Sequence, residues 1–289
     1  MMRGFLGAAA LFLSACAATP EEPAFAPALF VARDADSTLY LYGTIHLRRP
    51  GGDWGGDNAK AALASADELW TEMDLTPEAQ AQVQTIVLSL GLGDDLSTRL
   101  TAEEYERFST LVRRYGMAPE AVNMMKPWLA ALTLAVLPMM EAGYDPEAGV
   151  DEAVNAEAGA HVRRRAFETA AQQIGFFANL SEEAQMQFLR DAIAEAAAGP
   201  AALDELSIAW ERGDLATLER LVIDEFKAEA PEVYDVIFTQ RNRAWTETLI
   251  GELEGAGVDF VAVGAGHMLG DDGLVEMLRA RGVSVERVN

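Results

Sequence analysis

The sequence predicts an α/β fold with a mostly parallel or mixed central sheet, flanked by helices and interrupted by a large helical insertion. Three observations support this prediction. Short apolar runs alternate with helix-like segments near both ends of the chain. Between them, apolar residues recur at helical spacing, with proline near segment starts and glycine near segment ends. Alternation of strands with helices favours parallel strands, because each helix returns the chain to the same end of the sheet.

The first expected elements are a hairpin, a helix and a strand. Residues 29–32 and 38–44 are the two predicted hairpin strands, and residues 34–37 form the turn between them. A loop rich in glycine and aspartate follows, and an alanine-rich helix is then expected over about residues 59–65. Residues 68–73 are expected to form a short buried strand with acidic residues at its end.

The rest of the chain is expected to be mainly helical, with three further strands. Helices are predicted over residues 77–91, 101–115, 119–143, 149–160, 181–253 (with breaks at Gly199-Pro200, Gly213-Asp214 and Pro231) and 271–282. Strands are predicted over residues 161–168, where a helix follows at about Thr169, and over residues 258–267 and 283–289.

The first residues have the features of a bacterial lipoprotein signal. A positive charge precedes an apolar stretch that is too short to span a bilayer as a helix. It ends in "LSAC", which resembles a lipobox with Cys16 as the lipidated residue. We therefore expect a signal peptide over residues 1–15, a lipidated cysteine with a proline-rich tether over residues 16–27, and the folded domain over residues 28–289. Two or three acyl chains are enough for stable membrane anchoring.

Two counts narrow the possible chemistry. Cys16 is the only cysteine, so once it is lipidated no thiol nucleophile, disulfide or cysteine-ligated metal site is expected. The chain has 22 basic and 46 acidic residues, a net charge of −24. Because so acidic a surface repels phosphate backbones, no nucleic-acid partner is expected.

Two of the three histidines follow the same pattern, in which an apolar run ends in glycine, two further residues and the histidine. "YLYGTIH" ends at His46 and "FVAVGAGH" ends at His267. Glu72 and Glu168 also follow apolar runs, at or near predicted strand ends. Function gathers at the carboxyl ends of the strands in an open α/β sheet. We therefore expect these four side chains to converge on one site.

Two imidazoles with one or two carboxylates form a ligand set suited to zinc, manganese, cobalt or iron. A metal held in this way activates bound water and polarises a carbonyl, and a spare glutamate can move the proton. The glycines of the two motifs, Gly43, Gly264 and Gly266, are expected to let the chain turn sharply off its strands and to leave room for a ligand.

Each of these residues also has a structural interpretation. A lone histidine at a strand end is most often a hydrogen-bonded structural residue, and His161 stands in no such pattern. Glu72 and Glu168 can simply be acidic residues near helix N-termini, where a negative charge is favourable. Arg241 can be a solvated surface charge. The chain has no serine-hydrolase elbow, Walker loop, dinucleotide-binding turn or H-E-x-x-H helix.

Several stretches, taken together and in order, resemble the TraB/GumN family, which is related to the Tiki proteases. The likeness covers nearly the whole chain after the tether. The stretches are "LYGTIHL", "TEMD", "KPW", "FETAAQQ", "QRNRAW" and "FVAVGAGHMLGDDGLVEMLRARG".

The resemblance implies an α/β domain whose two halves each present a G-x-x-H motif. It also implies a metal-dependent protease that favours manganese or cobalt. By this likeness, His46 and His267 match the motif histidines, and Glu72 matches the acidic residue on the following strand. Glu168 matches the glutamate of an "ET..Q" element.

The same resemblance matches Arg241 and Asn242 to an arginine–asparagine element of the family. One departure is Met268, because the family often has leucine directly after the second motif. The change is conservative in size and polarity.

The leading hypothesis is an envelope-anchored, metal-dependent hydrolase, with peptides or proteins as its substrates and manganese, cobalt or zinc as its metal. His46 and His267 are the expected ligands or proton-transfer groups, and Glu72 is a ligand or general base. Glu168 and Arg241 are expected to orient substrate or to support the ligands.

Two alternatives remain open at this stage. One is a non-catalytic lipoprotein that binds a peptide or haem in the same cleft, because paired histidines can contact haem iron. The other is an envelope scaffold with a vestigial site. Ala17 follows the cysteine where an inner-membrane retention signal often has aspartate, which favours anchoring at the periplasmic face of an outer membrane.

Overall fold

A computed structural model describes residues 25–199 and 201–288 of the chain. These residues form a six-stranded sheet with the strand order β4-β3-β5-β2-β1-β6. The strands are β1 (Leu29–Arg33), β2 (Ser37–Thr44), β3 (Glu68–Met73), β4 (Arg163–Glu168), β5 (Gly257–Gly264) and β6 (Val285–Arg287).

The sheet is mixed but mostly parallel. Strands β4, β3, β5 and β2 lie side by side and pair in parallel. Strand β1 pairs antiparallel with β2 on one side and with β6 on the other, so β1 alone runs against the other described strands. The predicted α/β class and mostly parallel sheet are therefore confirmed.

The helices divide between the two faces of the sheet and the insertion. They are α1 (Asp57–Ser65), α2 (Pro77–Gly91), α3 (Leu96–Arg99), α4 (Ala102–Arg114), α5 (Pro119–Asn123), α6 (Pro127–Glu141), α7 (Val150–Glu157), α8 (Ala170–Ala178), α9 (Glu182–Ala198), α10 (Ala201–Glu211), α11 (Leu215–Leu218), α12 (Glu225–Glu229), α13 (Pro231–Tyr234), α14 (Gln240–Leu253) and α15 (Leu274–Ala280). Among the described residues, no helix is both long and apolar enough to cross a membrane.

Each face of the sheet has its own core, because side chains of successive strand residues point to opposite faces. On one face, Tyr42 and Phe260 pack with apolar residues of α1, α7 and α10. On the other face, Leu41 and Val261 pack with Trp245 of α14 and with α15. Strand β3 is buried along most of its length, as expected for a strand covered on both faces.

The helical insertion lies between β3 and β5 in sequence and is interrupted only by β4. Its own apolar core joins α3, α4, α5, α6 and α9, with Phe108, Leu134 and Leu189 fully buried. This separate core explains why the middle of the sequence has helical periodicity with few strand-like segments.

One predicted helix, over residues 119–143, is wrong, because the structure divides it into α5 and α6. Between them the chain turns extended, and Lys126 donates a backbone hydrogen bond to Gly91. The cause is Pro127, which takes the first position of α6 and disfavours helical backbone at the preceding residue.

Two short π-helical segments lie in the second half of the insertion, at Glu219–Asp224 and Asp235–Thr239. No pattern in the sequence predicts them. Such segments are frequent at functional sites, where they shift side chains out of α-helical register. The expected signal peptide and the lipidation site at Cys16 lie outside the described residues.

Candidate functional site

The four parallel strands β4, β3, β5 and β2 end at the same edge of the sheet. His46 follows β2 by two residues, and Glu72 is the penultimate residue of β3. Glu168 ends β4, and His267 lies in a 3₁₀ turn, Ala265–Met268, directly after β5. The structure therefore brings all four side chains to the carboxyl edge, through strands that are neighbours in the sheet.

His46 and His267 both lie close to the same carboxylate oxygen of Glu72. Oε1 of Glu72 lies 3.9 Å from Nε2 of His46 and 3.8 Å from Nε2 of His267. The imidazole of His46 is 60% exposed, whereas that of His267 is 4% exposed. One ring is thus at the mouth of the site and the other at its base, with the glutamate between them.

The second nitrogen of each ring has its own partner. Nδ1 of His46 lies 2.8 Å from Oδ2 of Asp151, at the start of α7. Nδ1 of His267 lies 2.6 Å from Oδ1 of Asn242, in the first turn of α14. Because an oxygen on the Nδ1 side favours a proton there, each ring is oriented with Nε2 toward Glu72.

Arg241 connects the carboxylates of Glu72 and Glu168 through hydrogen bonds. Its guanidinium is buried and donates to Oε2 of Glu72 at 2.6 Å. It also makes a two-pronged contact with Glu168, with both distances 2.8 Å. Its Nη1 lies 3.1 Å from Nε2 of His267, and the indole of Trp245 donates to Glu168 at 3.0 Å. Glu168 therefore fixes the position of Arg241 through two hydrogen bonds, and Arg241 in turn contacts both Glu72 and His267.

Burial and charge set the protonation of this cluster. Burial lowers the pKa of His267 to about 3, so its ring is neutral at physiological pH. Burial opposes ionisation of Glu72, but neighbouring groups, chiefly Arg241 once His267 is neutral, hold the pKa of Glu72 well below its ordinary value. The charge of Asp151 raises the pKa of His46. An ionised carboxylate thus lies between a neutral ring and a readily protonated one.

Glycine at position 264 is required by close approach rather than by backbone conformation. Its N–H donates to Oε1 of Glu72 at 2.8 Å. A Cβ at this position would lie 3.1 Å from the same oxygen and 3.5 Å from Nε2 of His46. None of Gly43, Gly264 and Gly266 has a positive φ, so these positions need glycine to avoid side-chain clashes and not for a left-handed backbone.

A cavity of about 670 Å³ opens on this cluster, and His46, Glu72, Arg241 and His267 line it. Glu168 lies behind Arg241 and does not line the cavity. Most of the remaining wall is apolar. Helix α8, the end of α11 and the two π-helical segments supply much of it, through Ile174, Phe177, Leu218, Val222, Ile237 and Phe238.

The cluster fits a divalent metal in its donor chemistry. Nε2 of each imidazole lies within 3.9 Å of the same carboxylate oxygen, and Nδ1 of each ring is oriented by an oxygen acceptor, as in metal–histidine sites. The residues that would hold the metal are His46, His267 and Glu72. Arg241 competes with a metal at this point, because its Nη1 already donates to Nε2 of His267.

Sequence reasoning missed two contacts of this site. Asp151 had no role assigned, because an acidic residue in the first turn of a helix is common for reasons of the helix dipole alone. Gln173, whose amide donates to Oε2 of Glu72 at 3.2 Å, was noted only as part of the "FETAAQQ" stretch. His161 lies apart from the cavity and is exposed.

Comparison with known proteins finds similarity along most of the chain. The model of the TraB/PrgY/gumN family matches residues 28–287 of this chain. YbaP, an uncharacterized protein of Escherichia coli (strain K12), is 24% identical over 254 residues, which cover 88% of this chain and 92% of YbaP. YbaP of Shigella flexneri is similar to the same extent, with 24% identity over 254 residues. No solved structure matches the chain.

Proposed function

The chain belongs to the TraB/PrgY/gumN family, and on that premise we propose that it is a metal-dependent hydrolase of the cell envelope that cleaves peptides. One observation supports this most directly. Oε1 of Glu72 lies within 3.9 Å of Nε2 of both His46 and His267, inside a cavity large enough for part of a peptide. Manganese, cobalt and zinc all accept this donor set.

A metal bound by these three side chains would lower the pKa of a bound water toward neutrality and polarise a substrate carbonyl. Neighbouring side chains orient the three ligands and keep Glu72 ionised. Asp151 and Asn242 fix the two rings so that their Nε2 atoms face Glu72. Arg241 keeps Glu72 ionised and holds it in one orientation.

The cavity walls favour a substrate with an apolar side chain beside the reacting bond. Val222, Ile237 and Phe238 of the π-helical segments form one wall, and Ile174 and Phe177 of α8 form part of another. Burying an apolar side chain against such walls contributes about 1.5–3 kcal/mol. Acidic side chains in the substrate would meet the negative surface of the protein and bind less well.

The proposed location is the periplasmic face of an outer membrane, through lipid on Cys16. The support is the lipobox-like "LSAC" and the proline-rich stretch that follows it. Mass spectrometry of the mature N-terminus tests this point, because Cys16→Ala would remove both the acyl chains and the cleavage at residue 16.

The activity is tested with protein stripped of metal by a chelator and then supplied with manganese, cobalt or zinc. A mixed peptide library is incubated with each form, and products are identified by mass spectrometry. We expect metal-dependent cleavage next to apolar residues, lost in His46→Ala and His267→Ala. His161→Ala is the matched control, because His161 is exposed and lies outside the cavity.

The metal-stripped protein and the peptide library also distinguish hydrolysis from non-catalytic binding. The size and apolar walls of the cavity favour binding of a peptide or haem as well. Peptides that bind without being cleaved under any metal condition would contradict hydrolysis and support a peptide-binding lipoprotein. A haem absorbance band on titration, abolished by His267→Ala, would support haem binding instead.

A further inference from the structure

A second cluster of carboxylates lies at the opposite edge of the sheet from the cavity. Glu68 begins β3, Asp259 is near the start of β5, and the two residues are direct neighbours in the parallel pairing of these strands. Glu252, near the end of α14, lies close to both residues. One carboxylate oxygen from each of the three residues lies within 4.8 Å of the others.

Asp259 is the residue that distinguishes this cluster from an ordinary acidic surface. It is 8% exposed, and its carboxylate has no hydrogen-bond donor and no ion-pair partner within 4.0 Å among the residues that the structure describes. A buried carboxylate without a partner is costly unless it binds a cation or a proton. Oxygens of Glu68 and Glu252 lie within 4.8 Å of one of its carboxylate oxygens, so the group faces into the cluster.

Nearby arginines neutralise the cluster only in part. Arg163 and Arg165 both donate to Glu68, at 2.5 Å and 3.0 Å. Their side chains are more than half exposed and neither contacts Asp259 within ion-pair distance. Three carboxylates therefore face two guanidinium groups, and the uncompensated negative charge lies at Asp259 and Glu252.

The donor set selects the class of cation. Three carboxylates from three different elements offer only oxygen ligands, which suit a hard cation. Calcium takes about six to eight oxygens in flexible geometry, whereas magnesium keeps several waters and is usually bound through one or two carboxylates. We propose that Glu68, Glu252 and Asp259 form a structural calcium site, which joins β3 and β5 to the end of α14.

The test measures thermal unfolding of the whole protein in chelator and with increasing calcium. We expect calcium to raise the unfolding temperature by about 5 °C at one hundred times its dissociation constant. Magnesium is the comparison ion and should give a smaller shift. Asp259→Asn should remove the calcium shift, and Glu252→Gln, at a partly exposed position, should reduce it without endangering the fold.

Two controls locate the effect. His46→Ala should keep the full calcium shift, because the cavity is at the other edge of the sheet. Asp191→Asn should keep it as well, since Asp191 also has an unpartnered oxygen but lies outside the cluster. The proposal is overturned if calcium does not shift wild-type unfolding, or if the shift survives in both Asp259→Asn and Glu252→Gln. A stabilisation of wild type by acid alone, with no response to calcium, would assign the site to a proton.

Discussion

Nδ1 of His46 and Oδ2 of Asp151 are 2.8 Å apart, although one residue follows a sheet strand and the other begins a helix of the insertion. The other oxygen of Asp151 accepts from the hydroxyl of Thr44, at the end of the same strand. Asp151 thus ties α7 to the end of β2. The exposed ring of His46 owes its orientation to this contact, because its remaining surroundings are open.

Replacing Asp151 by asparagine should weaken metal binding while leaving the three ligands in place. Asparagine keeps an amide oxygen but loses the negative charge that raises the basicity of the ring, and changing such a partner of a metal-bound histidine costs about 10–100-fold in affinity. Isothermal titration with manganese or zinc measures it. Glu152→Gln is the control, since it removes the same charge from the next residue without a contact to His46. Equal losses in the two variants would contradict a positioning role for Asp151.

Gly264→Ala should disable the site without unfolding the protein. The backbone at Gly264 has a negative φ that alanine accepts, but the added Cβ would lie 3.1 Å from Oε1 of Glu72 and displace it. We expect loss of metal-dependent activity with an unfolding temperature close to that of wild type. Gly251→Ala is the matched control: no atom lies within 4 Å of its Cβ, and a helix interior gains about 1 kcal/mol from the exchange. Full activity in Gly264→Ala would show that Glu72 does not need its observed position.

The strands and the longer helices of this fold were predictable because their sequence patterns are local. Apolar runs bounded by turn residues located β3 at Glu68–Met73, and proline and glycine marked the two ends of α2 at Pro77–Gly91. The break before Pro127 was also encoded locally, but the apolar residues on both sides obscured it. The π-helical segments have no such marker, and their residues Val222 and Phe238 lie against Gly266 in the turn after β5.

The candidate site was predictable to the extent that it follows from topology. Parallel strands bring residues at their carboxyl ends together, and this alone is enough to group His46, Glu72 and His267. Asp151 was not grouped with them, because its contact joins distant parts of the chain through the path of the insertion. The central position of Arg241 depends likewise on how α14 packs beneath the sheet edge, which periodicity does not reveal.

Glu168→Gln should destabilise the fold rather than act on substrate directly. Glu168 is buried behind Arg241 and makes two hydrogen bonds with it, so neutralising it leaves a buried guanidinium with Glu72 as its remaining carboxylate. We expect a loss of about 3 kcal/mol in the free energy of unfolding, measured by urea denaturation. Glu247→Gln, which breaks an exposed pair with Arg281, should cost no more than about 1 kcal/mol. Similar small effects in both variants would mean that the buried pair contributes little.

The stability of the protein in chelator should rise as the pH falls from 7.5 to about 4.5, through Asp259. Burial, with nearby Glu252 and Glu68, raises the pKa of Asp259 to about 6 from 3.8, so the folded protein takes up a proton before the unfolded chain does. The penalty for its charge is complete above pH 6 and disappears below pH 4. Asp259→Asn should therefore be more stable than wild type by about 2–3 kcal/mol at pH 7.5, a difference that shrinks toward zero at low pH. Urea unfolding of both proteins across this range checks the sign, because a variant less stable than wild type at pH 7.5 in chelator would show that the charged form of Asp259 is favourable in the fold.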